Sequence, residues 1–402
     1  MPQSRTARYT LFGLLYFTQG TILSYFTALN ALYFLSQGLS MTRVGIFASI
    51  ALVPFVIKIF LGMLSDRVSL FKMGYRKPYI LIGLVIQFVC LLIAPLINLQ
   101  TGYWSFVALA FILQMGMALY DTCTDGLALD TTPEKEQGII QGFMVGGRAV
   151  GVIVTASVVG LLAERVSWAA VFWLLAGLTL LPLPLVLKLR EPDRAQRRFD
   201  WGAFRAFRRG DIWLVAGVGF IAFLVIVGAN QLVNPHIENT LKTGLSMAGF
   251  FTTLWGVGVV LGGLTGGRLT DRAGFQRAIY ISLGLTTLAL LLVAFGIRPG
   301  APLALVFGLV AFFGLAYGAY QATFFALAMR FTEPGIAASM FAILMAFTNV
   351  GQGVGLGAGG ALVDGIGYAG TLALFAALNL AALPLMAAIR SARVSKPAAA
   401  PF

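Results

Sequence analysis

Charge is what this sequence has least of. Of its 402 residues 11% are charged and 59% hydrophobic, whereas a soluble domain carries about 25% charged residues. The polar side chains are too few to cover a water-soluble globule. Histidine occurs once, at His236, and cysteine twice, at Cys90 and Cys123, both inside apolar stretches. That excludes a disulfide framework, a zinc cluster and haem held by paired histidines. No GxxxxGK[ST] segment occurs, which argues against ATP-driven pumping by this chain alone. With so little catalytic equipment no enzymatic activity is expected, and no cofactor.

What is present is apolar sequence in pieces long enough to cross a membrane. A crossing takes roughly 20 apolar residues, and in lipid every backbone group must be bonded within the segment, so the pieces must be helices. Runs bounded by charges and turn residues predict twelve, at 9–35, 43–65, 76–98, 104–130, 138–163, 167–189, 211–237, 246–270, 276–297, 301–330, 335–363 and 368–391. The first run is too long for a signal-peptide core and no small-residue cleavage site follows it, so it reads as the first span.

The net charge of +13 does not point to nucleic acid, because the basic residues lie in short loops with no soluble domain to organise them. They report orientation instead. With the amino terminus cytoplasmic, 22 of the 28 Lys and Arg residues fall on that side and four, Arg43, Arg165, Lys242 and Arg298, on the other. Lys58 and Arg148 lie inside spans. Such a bias places both termini in the cytoplasm of a multi-pass protein of the inner (plasma) membrane.

The one long polar connection, 190–210, divides the chain into an amino-terminal half, 1–189, and a carboxyl-terminal half, 211–402. Within it Trp201, Phe204 and Phe207 recur every three residues, which fits either a short helix in the headgroup layer with its arginines near anionic lipid or a basic loop.

The halves repeat. Gly62-Met63-Leu64-Ser65-Asp66-Arg67 closes the second span, and Gly267-Arg268-Leu269-Thr270-Asp271-Arg272 closes the eighth, 205 residues later. The first copy continues to Gly74-Tyr75-Arg76-Lys77 and the second to Gly274 and Arg277. A glycine lets helices approach closely, and an aspartate followed by basic residues can pair with neighbouring helix ends and hold one conformation. On these residues the chain resembles the major facilitator superfamily, from end to end: six spans, a basic loop, six spans. The longer stretch Val68 to Met73, with Lys58 and the acidic fourth span, is most similar to the branch of muropeptide permeases, acetyl-coenzyme A transporters and folate/biopterin transporters. The resemblance implies an all-α integral membrane fold of twelve transmembrane helices in two pseudo-symmetric six-helix bundles, which rock about a central site. It implies a secondary transporter, working as a monomer in the lipid bilayer on a small-molecule substrate, with Gly62, Asp66, Arg67, Arg76, Gly267, Asp271 and Arg272 as its gating motif.

Charges inside spans cost several kcal/mol unless paired or wet. Asp121 and Asp125 lie one helical turn apart in the fourth span, on one face. At 1.5 Å per residue Arg148 stands about 15 Å from the cytoplasmic end of the fifth span and Asp121 about 14 Å from that of the fourth, so the two can meet. By the same count Lys58, at about 10 Å, pairs with Asp125, at about 7 Å. Two readings stay open for these four residues: structural ion pairs, or a charged network in which Arg148 or Lys58 binds an anionic substrate group while an aspartate exchanges a proton. Which carboxylate titrates is not readable from the sequence.

Aligning Pro133 with Pro334 sets Arg148 against Asn349 and Asp121 against Ala322, so the second half has lost these charges. Its polar residues inside spans include Asn230, Gln231, Tyr317, Tyr320, Gln321, Thr348, Asn349 and Gln352, and the first span adds Tyr16, Gln19 and Tyr25. Each either contacts substrate or bonds a neighbouring helix; Tyr16, Gln19, Tyr317, Gln321 and Asn349 are the named candidates. Charge on one wall and amides with aromatics on the other suit an amphiphilic organic anion, with protons as the candidate coupling ion; a lipid or pigment carrier on the same fold is the alternative. The glycines of 351–360 lie in a span with no preceding strand, so they fail as a dinucleotide loop and read as helix packing. His236 and Glu238 read as interfacial residues at the outer end of the seventh span.

Overall fold

The computed structural model describes residues 5–71, 73–132, 137–189, 191, 209–331 and 337–394. Among these residues every regular element is a helix. In chain order they are α1 (Arg5–Ala28), α2 (Asn30–Ser36), α3 (Met41–Val56), α4 (Lys58–Arg67), α5 (Lys77–Ile93), α6 (Tyr103–Thr131), α7 (Gln137–Arg165), α8 (Trp168–Thr179), α9 (Leu183–Lys188), α10 (Gly210–Leu241), α11 (Leu245–Ala273), α12 (Phe275–Gly296), α13 (Leu303–Phe331), α14 (Ala337–Asn379) and α15 (Ala382–Val394).

Ten stretches among the described residues are long and apolar enough to cross a membrane. They differ from the twelve expected in two places. The first helix is not among them, and Met340–Ile389, 50 residues long, holds both of the last two expected spans, with a break where Gly367 takes φ +72. Large apolar side chains stay exposed on both parts of the chain, Phe60, Trp104 and Phe295 each by 60% or more. In water such surface would be a liability; in a bilayer it is the lipid face.

The expected first and second spans are each two helices. Leu29, with φ −124, interrupts the first. In the second, Pro54 cannot donate the hydrogen bond that would close its turn, and the helix stops at Val56 and restarts at Lys58. Ser40 and Ser167 begin α3 and α8 by accepting the Arg43 and Ala170 amides at 3.4 and 3.1 Å, the usual N-cap bond.

The chain forms two compact units, Met1–Arg198 with Asn234–Val257, and Phe199–Val233 with Gly258–Phe402. The end of α10 and the first half of α11 group with the amino-terminal helices. Residues 192–208, including Trp201, Phe204 and Phe207, lie outside the described residues.

In the first unit the most extensive contact joins α1 and α7. A β-carbon on Gly20 would collide with Arg148 O, and one on Gly151 with Phe17 O. Only glycine permits this approach, and it puts Arg148 beside α1. The second unit repeats the device between α10 and α14, where a β-carbon on Gly228 would lie 2.7 Å from Gly355 O and one on Gly355 would meet Leu224 O. The glycine run of 351–360 thus serves helix packing.

At the motif end of the first unit, Glu191 reaches back to α5. Its carboxylate accepts the backbone N–H of Tyr75 at 2.7 Å and of Arg76 at 2.8 Å, and also that of Lys77. Lys77 Nζ in turn donates to Leu187 O at 2.7 Å and Leu189 O at 3.1 Å, at the end of α9. An acid caps the amino end of one helix and a base the carboxyl end of another, each favoured by the helix dipole. Gly74, at φ +106, lets the chain fold over the carboxylate. Because Glu191→Ala leaves three amides to find other partners, it is expected to cost about 1–3 kcal/mol and lower the thermal midpoint in detergent, with Glu191→Gln falling between it and the parent. An unchanged midpoint in Glu191→Ala would remove the clamp from the stability of this end.

Candidate functional site

The charges of the first unit gather around one carboxylate. Asp121, on α6, is 3% exposed. Its Oδ1 accepts Gln19 Nε2 at 2.8 Å and lies 3.7 Å from Arg148 Nη2, while its Oδ2 lies 3.4 Å from Lys58 Nζ. Four helices meet here: α1 brings Gln19, α4 brings Lys58, α6 brings Asp121 and α7 brings Arg148. Gln19 is held at both ends of its amide, since Arg148 Nε donates to its Oε1 at 2.7 Å. This bridge orients the guanidinium and fixes which way the amide points.

Asp125, one turn along α6, has a different environment. Tyr16 donates its hydroxyl to Asp125 Oδ1, and among the described residues no cation lies within the 4 Å that defines an ion pair with it. The expected partnership of Lys58 with Asp125 is therefore corrected: Lys58 pairs with Asp121. The helix break at Ile57 makes Lys58 the first residue of α4, so counting depth along one continuous helix misjudged where its ammonium ends. Arg148 also covers Tyr16, its guanidinium carbon 4.9 Å from the ring centroid, within the range of a cation–π contact. Tyr16 therefore touches both Arg148 and Asp125.

Exposure divides the cluster by sign. The Lys58 and Arg148 side chains are 36% and 41% exposed, the Asp121 side chain 4%. The carboxylate is enclosed and the cations open outward. Two cations share one close carboxylate, so Lys58, Arg148 and Asp121 together carry one positive charge, which an ionised Asp125 nearby cancels. A buried charge is tolerable only when paired and hydrogen-bonded, and Asp121 meets that condition through three different helices.

The candidates of the second unit carry no charge. Gln352 Nε2 donates to Asn349 Oδ1 at 2.9 Å, and Gln231 Nε2 to Leu356 O at 3.2 Å. Tyr317 and Gln321 are half-buried on α13, Tyr317 edge-on to Phe313 with centroids 6.3 Å apart. One of these bonds runs along α14 and the other from α10 to α14.

The motif copies differ. In the first, Arg76 is buried, with Nη1 2.5 Å from Ser65 Oγ, and its guanidinium lies against Gly126 of α6, where a β-carbon would stand 2.5 Å from its central carbon. Gly62 packs on Thr122, whose methyl a β-carbon at 62 would approach to 3.0 Å. The side chains of Asp66 and Arg67 lie outside the described residues. In the second copy Asp271 and Arg272 are exposed and Gly267 half-buried. His236 is buried, 3.4 Å from Thr240 Oγ1 through Nδ1. Sequence reasoning missed Glu191; its only signal was an acid directly after the sixth span.

Comparison with known proteins follows the same lines. The sequence model of the Major Facilitator Superfamily matches residues 11–233 and 215–401. The chain is 28% identical over 393 residues to the folate-biopterin transporter of Synechocystis, covering 89% of this chain and 75% of that one. To the anhydromuropeptide permease of Escherichia coli K12 it is 24% identical over 357 residues, covering 83% and 68%. Against several other curated relatives it spans between about half and two thirds of their length. Among solved structures, a mutant of nucleoside transporter NupG superposes with a TM-score of 0.81 at 15% identity, over 95% of this chain and 99% of that one, a likeness of fold.

Since Asp121 balances two cations, Asp121→Asn strands both, whereas Arg148→Gln leaves the Lys58–Asp121 pair. Breaking a buried pair costs about 3–5 kcal/mol. Asp121→Asn is therefore expected to lower the thermal midpoint more than Arg148→Gln does; the opposite order would show that Asp121 is not the electrostatic centre of the cluster.

Proposed function

Because the chain belongs to the major facilitator superfamily, we propose that it carries a small organic anion across the cell membrane by alternating access, with Lys58 and Arg148 as the anion's binding groups and Asp125 as the proton-exchanging group. The observation that supports this most is the division of exposure: the two cations open outward while their shared counter-ion is enclosed. A carboxylate or similar group on the solute takes the place that water holds on the exposed side of Lys58 and Arg148, and Arg148 offers it the edge of the guanidinium that Gln19 does not occupy.

The charge count gives the coupling. With Asp125 ionised the four groups sum to zero; with Asp125 protonated they sum to plus one, and an anion restores neutrality. A proton and an anion therefore enter together, and neither is held well alone. Asp121 is the counter-ion that the two cations share, and an amide holds it in place. In this reading the termini and the basic loops are cytoplasmic, and Asp66, Arg67 and Arg76 with Asp271 and Arg272 secure the cytoplasmic ends of the helices. Folate-biopterin and anhydromuropeptide, the solutes in the names of the two relatives, are the first compounds to try.

Purified protein in liposomes tests the reading. Uptake of the solute is expected to rise as the outer pH falls, because protonation of Asp125 precedes anion binding. Asp125→Asn is expected to keep exchange of labelled for unlabelled solute while losing accumulation driven by a proton gradient, and Arg148→Gln to lose both. Full, pH-dependent uptake by both variants would remove the cluster from the mechanism.

A further inference from the structure

The cluster around Asp121 has a second level, seven residues along each of three helices. α6 runs against α1, because Arg8 Nη1 reaches Thr131 O at 3.5 Å. α7 runs with α1, because β-carbons on Gly147 and Gly151 would collide with Gly13 O and Phe17 O. A step forward on α1 and α7 and backward on α6 therefore leads the same way, away from the contacts of Gly62 with Thr122 and of Arg76 with Gly126. Seven residues make two turns less about 20°, a rise of about 10 Å on the same face. From Gln19 the step reaches Phe26, from Asp121 it reaches Gln114 and from Arg148 it reaches Thr155, all within unbroken α1, α6 and α7. Because Gln19, Asp121 and Arg148 touch one another, the three residues one step away form a tier at one depth.

The two tiers differ in kind. The first is ionic; the second is an aromatic ring, an amide and a hydroxyl. Gln114 Oε1 is buried and has no hydrogen-bond partner. Asn30, four residues beyond Phe26 and 2% exposed, leaves its Oδ1 without one as well. An unmet polar group in a protein interior destabilises the fold, and an apolar side chain would fill either place without that cost. Two such groups on the same side of the cluster mark a place where something outside the chain completes the bonding.

The chemistry of the tier describes what that is. An amide presents a donor and an acceptor side by side, the pair with which glutamine and asparagine grip the amino edge of adenine. Phe26, half-buried and nearly parallel to Phe47 with ring centroids 6.2 Å apart, supplies an aromatic face, and such faces stack on flat rings of many kinds. A flat heteroaromatic ring with an N–H donor beside an acceptor on its edge meets both demands.

We propose that Gln114, with Phe26 and Thr155, forms a neutral subsite about 10 Å from Arg148 that takes the far end of an elongated anion, whose acid group lies on Lys58 and Arg148 and whose flat ring offers its donor and acceptor edge to Gln114. The proposal rests on the transport reading and adds to it a length and a ring. Short carboxylates reach only the ionic tier and are held weakly.

Equilibrium binding to the purified protein in detergent, at one mildly acidic pH, tests the subsite with three probes of one series. In 4-(adenin-9-yl)butanoate both ends stand at the required separation. 4-(Purin-9-yl)butanoate lacks the amino donor, and adenin-9-ylacetate is two methylenes shorter. The first is expected to bind about tenfold more tightly than either of the others. Gln114→Met, which fills the same space without a polar atom, is expected to melt no lower than the parent and to bind the two butanoates alike. Arg148→Gln is expected to weaken both. Equal affinity of the parent for the two butanoates, or binding of neither, would overturn the subsite, and so would a preference for the amino compound that survives in Gln114→Met; none of these results touches the ionic tier. Butanoate binding that Arg148→Gln leaves unchanged would instead overturn the anion reading, and the subsite with it. Phe26→Leu covers the case in which Gln114→Met folds badly. By removing the stacking face it is expected to weaken both butanoates several-fold, and unchanged affinity would overturn the tier independently.

Discussion

Much of this molecule is arranged so that one enclosed carboxylate meets its partners. Asp121 cannot leave water alone; a lone charge at such depth costs several kcal/mol, and its three partners come from three other helices. Its pairing therefore depends on tertiary packing, and the packing of α1, α4, α6 and α7 depends in turn on it. Remove the carboxylate and two cations face each other across an apolar bundle. Remove the helix contacts and the carboxylate has no partners.

The contacts that bring those helices together are made of the smallest residues in the chain. In lipid there is no hydrophobic gain from joining two helices, so close approach and the dispersion it brings must do what burial does in water. Gly20 and Gly151 bring the α1 and α7 backbones together, and that spacing lets Gln19 reach Arg148 while Tyr16 slides beneath the same guanidinium. A side chain on either glycine would separate the helices and, with them, the members of the cluster. The same economy appears between α10 and α14 in the second unit, where no charge needs positioning; there the packing alone is retained.

How much of this the sequence disclosed follows from the physics of each part. The helices were legible because a span has a minimum length and the charges interrupt the apolar runs. The family was legible because Gly62-Asp66-Arg67 and Gly267-Asp271-Arg272 recur at matching places. Asp121 and Arg148 were legible because charge in lipid is rare enough to need a reason. Lys58 was misassigned to Asp125, since depth was counted along a straight helix and Pro54 breaks that helix just before Lys58. Glu191 and the grouping of 234–257 with the first unit were not legible at all: backbone amides accept any acid within reach, and contacts between glycines and hydroxyls leave no periodic trace in the chain.

The central claim, that Lys58 and Arg148 line a water-filled passage rather than seal two helices, is open to one direct measurement. In Lys58→Cys, a small charged thiol reagent applied to the folded protein is expected to modify the new cysteine, and an organic anion that raises the protein's melting temperature is expected to slow that modification. Labelling by an uncharged, lipid-soluble maleimide but not by the charged reagent would contradict the account, because it would place this position in a dry contact between helices.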